Sequence, residues 1–315
     1  MRTGPGRLAR IVAVVGCLVL TLLIVRAVPT SFAEPKADAW VYLAAGERLN
    51  AGHDLYSLVP GDRPVRIVPP LWPSALLSPP PVAVAWRPLA LLGDWAMGLW
   101  CAGAIVASLA LLAWGVLYGG PWSLAAVVLF GPFLLYAAIP GNANGYLAPL
   151  LALAWLQRHR PWLPALAVVT ATAVKVTPVA LGPWLLERRR LLWAAGISIA
   201  GILLTLVGAP GAMSEWFGSS GQPVASPLSA AGMLGTDPRT TTIVIVAASW
   251  VLGLALRRHE RAVFVVGLIG MTFASPAFYL HTLALLTPVI VVDRAQRVAV
   301  SAVRARPTVT AAPAA

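Results

Sequence analysis

Arg10-Ile-Val-Ala-Val-Val-Gly-Cys-Leu-Val-Leu-Thr-Leu-Leu-Ile-Val-Arg26 holds no charge between its two arginines. An α-helix rises about 1.5 Å per residue, so a stretch of this kind, extended to residues 11–28, crosses most of the ~30 Å hydrocarbon layer. The pattern recurs along the chain, at 95–117, 121–139, 145–156, 161–174, 176–186, 191–209, 240–256, 262–279 and 282–292. Composition agrees: of 315 residues, 59% are hydrophobic and 11% charged, with mean hydropathy +0.80. A soluble domain carries about 25% charged residues. The expectation is an all-α polytopic membrane protein with about ten transmembrane segments. Several segments are short for a full crossing and read as broken or half helices. Residues 1–293 read as one membrane-embedded domain, and 294–315 as a basic, then Pro/Ala-rich, disordered tail.

Charge sets the orientation. With a cytoplasmic N-terminus, the clusters Arg2/Arg7/Arg10, Arg158/Arg160, Arg188–Arg190, Arg257/Arg258/Arg261 and Arg294/Arg297/Arg304/Arg306 all fall inside. That side then holds 15 of the 23 basic residues and three acids, Glu187, Glu260 and Asp293. The other side holds eight of each sign, as the positive-inside rule requires. Both termini are thus expected in the cytoplasm. Ser31-Phe32-Ala33 resembles a signal-peptide cleavage site, but an uncleaved first helix is the simpler reading for a chain that continues as a membrane domain.

Some classes are disfavoured at once. No basic block lies outside a membrane context, which argues against nucleic-acid binding. Cys17 and Cys101 sit inside apolar runs and read as core residues. His53, His159, His259 and His281 are scattered, so no metal motif is visible and no cofactor is called for.

The chemistry-bearing residues gather on the outer side. Twelve residues beyond Arg26, Asp38 opens a helix-like piece, Ala37 to Ala51, with Gly52 as its C-cap. A carboxylate just outside the membrane suits glycosyl transfer from a lipid-linked sugar; equally, an acid in a first helical turn favours the dipole. The long outer loop, 29–94, continues through Tyr56 and Arg63/Arg66 to Val68-Pro-Pro-Leu-Trp72-Pro73 and Ser78-Pro-Pro-Pro81. These prolines predict extended backbone, followed by an apolar piece that either lies at the membrane surface or packs as a loop. In Gly141-Asn142-Ala143-Asn144, two amides either bind sugar hydroxyls or hold a tight turn. Lys175, in Lys175-Val-Thr-Pro178, is costly between apolar stretches without a partner. A lipid phosphate or an outer acid such as Asp38 would serve. Glu215, Trp216 and Gln222 form a weaker set in the loop 210–238. His281 follows Ser275-Pro276 and either donates to a phosphate, relays a proton or is a satisfied imidazole.

The order Asp38-x3-Tyr42-x9-Gly52-x3-Tyr56, Pro-Pro-Leu-Trp-Pro, Gly-Asn-x-Asn, Lys-Val-Thr-Pro and Ser-Pro with a following His resembles the polyprenol-phosphate-mannose-dependent mannosyltransferases, the actinobacterial glycosyltransferase family 87. The resemblance implies a GT-C membrane fold and inverting transfer of mannose to a cell-envelope glycolipid or glycan at the extracytoplasmic face of the plasma membrane. It makes Asp38 the catalytic base. The leaving phosphate then falls to Lys175, with His281, Arg63 and Arg66; the sugar or acceptor falls to Tyr42, Tyr56, Asn142 and Asn144. The rival classes are a lipid-linked-sugar flippase or transporter and a same-fold transferase of another sugar, such as arabinofuranose. A transporter places its sites near the midplane, whereas the candidates here collect on one face.

Overall fold

The computed structural model describes residues 6–27, 37–56, 60, 78–219 and 225–292. Among the described residues it is helical throughout, without a strand. The helices are α1 (Arg7–Ala27), α2 (Ala37–Asn50), α3 (Pro80–Ala90), α4 (Asp94–Tyr118), α5 (Pro121–Ala138), α6 (Asn144–Leu156) and α7 (Trp162–Val174). A 3₁₀ helix, Thr177–Leu185, leads to α8 (Arg188–Gly208), α9 (Ala212–Ser219), α10 (Ala230–Leu234), α11 (Pro238–Ala255) and α12 (Glu260–Phe273). A second 3₁₀ helix, Leu280–Leu286, and α13 (Val289–Val292) complete the order.

Each of the ten apolar segments read from the sequence appears as helix. Five of these helices, α1, α4, α5, α8 and α11, are long and apolar enough to cross a membrane. The shorter α6 and α7, at 13 residues each, rise only about 20 Å, against roughly 32 Å for the 21 residues of α8. The protein is a multi-pass membrane protein, and its buried residues form one contiguous core from Cys17 to Val292.

Two expectations are corrected. The prolines of Ser78-Pro-Pro-Pro81 do not keep the chain extended: Pro80 and Pro81 open α3, where a missing N–H and a fixed φ are assets. Trp86 of α3 is 1% exposed, so this apolar piece packs into the core. It meets α2 so closely that a Cβ on Gly46 would stand 2.7 Å from the Trp86 carbonyl oxygen. The segment 262–279 stops being helix at Phe273, because Ser275-Pro276 turns the chain into an irregular stretch. Gly52, as expected, follows α2 with φ +75°. The proposed tail, Asp38's side chain and Arg63, Arg66, Trp72 and Gln222 lie outside the described residues.

Two ends can be distinguished. At one, Arg190 donates to the Arg158 carbonyl (2.9 Å) and pairs with Glu260 (2.7 Å), while Arg158 lies 3.4 Å from the same carboxylate. Trp184 Nε1 donates to Glu260 (3.0 Å). Residues far apart in sequence, around 158, 190 and 260, therefore share one end of the molecule. The opposite end carries the turns at 139–144, 175–177, 208–212 and 274–281.

The 3₁₀ helix Thr177–Leu185 has a clear origin. Pro183 has no N–H to give the Val179 carbonyl four residues earlier. The chain tightens to i→i+3 bonding, and Trp250 of α11 adds its Nε1 to the Val179 carbonyl (2.9 Å). Gly182 makes room for the indole; a Cβ there would lie 2.1 Å from the Trp250 ring. Trp250→Phe keeps the ring and removes the second donor to this carbonyl. Unfolding in detergent should show a loss of about 0.5–1.5 kcal/mol; unchanged stability would mean that the indole bond adds nothing to the 3₁₀ one.

Candidate active site

The turn between α5 and α6 is the hub of the end opposite the arginines. Its Asn142 Oδ1 accepts from the Asn144 backbone N–H (2.9 Å), so the Asn142 side chain closes the turn. Of the two readings left open for these amides, Asn142 satisfies the turn-forming one. Asn144, fully buried, donates Nδ2 to the His281 carbonyl (3.1 Å), while its Oδ1 is buried without a partner.

Gly141 joins the turn to two further helices. Trp100 of α4 donates Nε1 to the Gly141 carbonyl (2.7 Å), and Ala39 of α2 donates its N–H to the Pro140 carbonyl (3.4 Å). Asp38, the second residue of α2, is thereby held at the turn by its backbone neighbour. Gly141 has φ +74°, and a Cβ there would stand 2.8 Å from Ala39 Cβ and 2.9 Å from Cys101 Sγ. Neither the positive φ nor the closeness tolerates a side chain.

Lys175 ends α7 in extended backbone, φ −152° and ψ 99°, and so lies at the break before Thr177-Pro178 starts the 3₁₀ helix. Its charge acts on His281, which precedes the last apolar segment. Burial first, and the Lys175 charge second, hold the His281 imidazole down to about 3. It is therefore neutral near pH 7, offering one N–H rather than a positive charge. The structure thus brings together the start of α2, Asn142, Asn144, His281 and Lys175.

Tyr42 and Tyr56 are both engaged by protein groups. Tyr42 is 8% exposed and packs in an aromatic row with Trp86 (5.8 Å) and Trp100 (6.1 Å), which continues from Trp100 to Tyr146 (4.4 Å). Its ring faces protein and seats α2. Tyr56 donates its hydroxyl to the Ser78 carbonyl (2.8 Å); burial and then the nearby Glu215 carboxylate raise its pKa. Glu215 itself accepts from the N–H groups of Leu55 (3.0 Å) and Tyr56 (2.7 Å), which ties α9 to the end of the α2 segment.

Three contributors escaped the sequence reading. Trp100 is one apolar residue among many until its indole meets the turn. Arg87 of α3 donates to Asn50 (3.0 Å) and to the Gly208 carbonyl (2.6 Å), joining α2, α3 and α8. Ser226 donates its N–H to the Pro276 carbonyl (3.0 Å) and its hydroxyl to that of Phe278, docking the 225–229 stretch on the turn before His281. Only a positive-φ signal at Gly141, in Pro-Gly-Asn, was readable in advance. Among the described residues, no three His, Cys, Asp or Glu side chains stand together as a metal site.

Residues 77–288 match the family model of Glycosyltransferase family 87, two thirds of the chain. The protein belongs to that family and is a membrane glycosyltransferase. The match begins after the Asp38 segment. No curated protein and no solved structure matches the chain.

Gly141→Ala should lower stability by more than the ~1–2 kcal/mol that a left-handed Ala costs, since the Cβ also meets Ala39 and Cys101. Thermal unfolding checks it; a neutral change would mean that α2 is not held by this turn.

The His281 assignment predicts a pH dependence. Between its ordinary value of 6.5 and about 3, the unfolded chain takes up a proton that the folded chain refuses. Stability is then full above pH ~6.5 and falls as pH drops towards 3. Denaturation of wild type and His281→Gln should diverge across that window, with the wild type falling faster. Parallel curves would mean that the imidazole titrates normally.

Proposed function

We propose that the protein transfers mannose from polyprenol-phosphate-mannose to a cell-envelope glycolipid or glycan acceptor, at the extracytoplasmic face of the plasma membrane. What supports this most is the meeting, in a membrane glycosyltransferase, of the start of α2, the Asn142–Asn144 turn, His281 and Lys175 at one end of the helices.

In this reading Asp38 accepts the proton of an acceptor hydroxyl as its oxygen attacks C1 of the donor sugar. The C1–O bond to the lipid phosphate breaks on the opposite face. The β-linked donor thus yields an α-mannoside and polyprenol phosphate. That leaving group is already a stable anion, so a strong general acid is not required. Lys175 offsets its charge, with the neutral His281 donating one N–H and Arg63 or Arg66 completing the shell. Asn144 offers its spare Oδ1 to a sugar hydroxyl. Tyr42 and Tyr56 shape the walls rather than stack on the sugar.

The test is transfer by purified protein in lipid, with labelled polyprenol-phosphate-mannose and a crude envelope lipid extract. Asp38→Asn should reduce product about 10²–10⁴-fold while the protein stays folded. Lys175→Ala should raise the donor KM roughly tenfold or more and leave the acceptor KM nearly unchanged. Full activity in a folded Asp38→Asn protein would remove the base assignment. Transfer only from an arabinofuranose donor would replace mannose.

A further inference from the structure

The end away from the candidate active site carries a charge pattern that glycosyl transfer does not use. Three turns meet there: 157–161 between α6 and α7, 186–187 before α8, and 256–259 between α11 and α12. The links among Arg158, Arg190 and Glu260 bind them into one surface. Around this node Arg160, Arg188, Arg189, Arg257, Arg258 and Arg261 are all exposed. The two glutamates of this end are engaged by the node: Glu187 pairs with Arg190 (3.1 Å), and Glu260 with Arg190 and Arg158. The surface is therefore strongly positive.

Local stability does not account for that arrangement. Arg188, Arg189 and Arg190 fill the first turn of α8, where the helix dipole disfavours positive charge. Arg261 stands in the first turn of α12 beside Glu260, whose carboxylate is engaged by Arg158 and Arg190. The N-termini of α7, α8 and α12 all point to this end, and none has a side-chain cap. By contrast, at the opposite end Ser229 and Asp237 cap α10 and α11. An anion among these turns would offset the arginine charge and the three helix dipoles together.

The setting selects the anion. The connecting turns are short, and the arginines stand at the ends of apolar helices. Trp162 and Trp193, 41% and 52% exposed, flank them at the depth where indoles favour the headgroup region. We propose that this surface is a binding site for anionic phospholipid headgroups of the adjoining leaflet, the phosphates held by arginines from the three turns. Binding there braces α6, the first 3₁₀ helix, α8 and α12 against one another at the end remote from the chemistry.

Native mass spectrometry of the full-length protein, with phosphatidylglycerol or phosphatidylcholine of matched chains, tests it. Wild type should retain phosphatidylglycerol in preference. Arg188→Gln/Arg189→Gln and Arg257→Gln/Arg258→Gln should each weaken phosphatidylglycerol binding roughly 30-fold, about fivefold per arginine, and leave phosphatidylcholine unchanged. Arg239→Gln, at the other end, should change neither. Equal retention of both lipids by wild type would overturn the proposal. So would an equal loss in the Arg239 variant, or complete displacement by inorganic phosphate, which would make this a small-anion site. If one double variant does not fold, the other and the wild-type preference still decide.

Discussion

A backbone carbonyl that loses its helical partner inside hydrocarbon has no water to turn to. That constraint governs each place where this chain departs from regular helix. Along the first 3₁₀ helix, Trp250 adds an N–H to the Val179 carbonyl. Where α4 meets the start of α6, Tyr146 donates to the Trp100 carbonyl (2.6 Å) and Ser108 to the Gly145 carbonyl (3.2 Å). Past the last 3₁₀ helix, Ser123 reaches the Ile290 carbonyl (2.7 Å). Past α12, Thr242 reaches Ala274 (2.8 Å). These bonds join helices distant in sequence, whereas Thr21, Thr205, Ser249 and Thr272 turn their hydroxyls back onto their own helices.

The candidate active site follows from the same economy of donors. Five pieces of chain end at one level because their carbonyls and N–H groups satisfy one another: Ala39 to Pro140, Trp100 to Gly141, Asn144 to His281. Asn144 Oδ1 and Thr177 Oγ1, both buried at this end, are not filled by that exchange.

Much of this was legible in the sequence. Apolar runs bounded by arginines, prolines and glycines all fell on stretches that contain helix, since periodic burial and breaker residues act locally, but α3, α9 and α10 lay outside them. Gly52 and the Asp38 helix were readable for the same reason. Partners distant in sequence were not. Nothing near Tyr42 announces that Trp86 and Trp100 will cover it, and nothing near Glu215 announces the N–H groups of Leu55 and Tyr56. The prolines at 80 and 81 misled because Pro breaks a helix it interrupts but starts one it precedes; the side on which helix follows is decided by Trp86 finding a core. Lys175 and His281 were singled out individually, as ionisable groups at the rim of apolar segments, but their electrostatic coupling needed the fold.

The unequal helix lengths leave two candidate polar groups on short supports. α6 and α7 are each about 12 Å shorter than α8. Asn144 opens α6 and Lys175 follows α7, so each stands at the end of a helix shorter than the ~30 Å hydrocarbon layer is thick. The thickness of the bilayer thus sets how deep such a helix end sits.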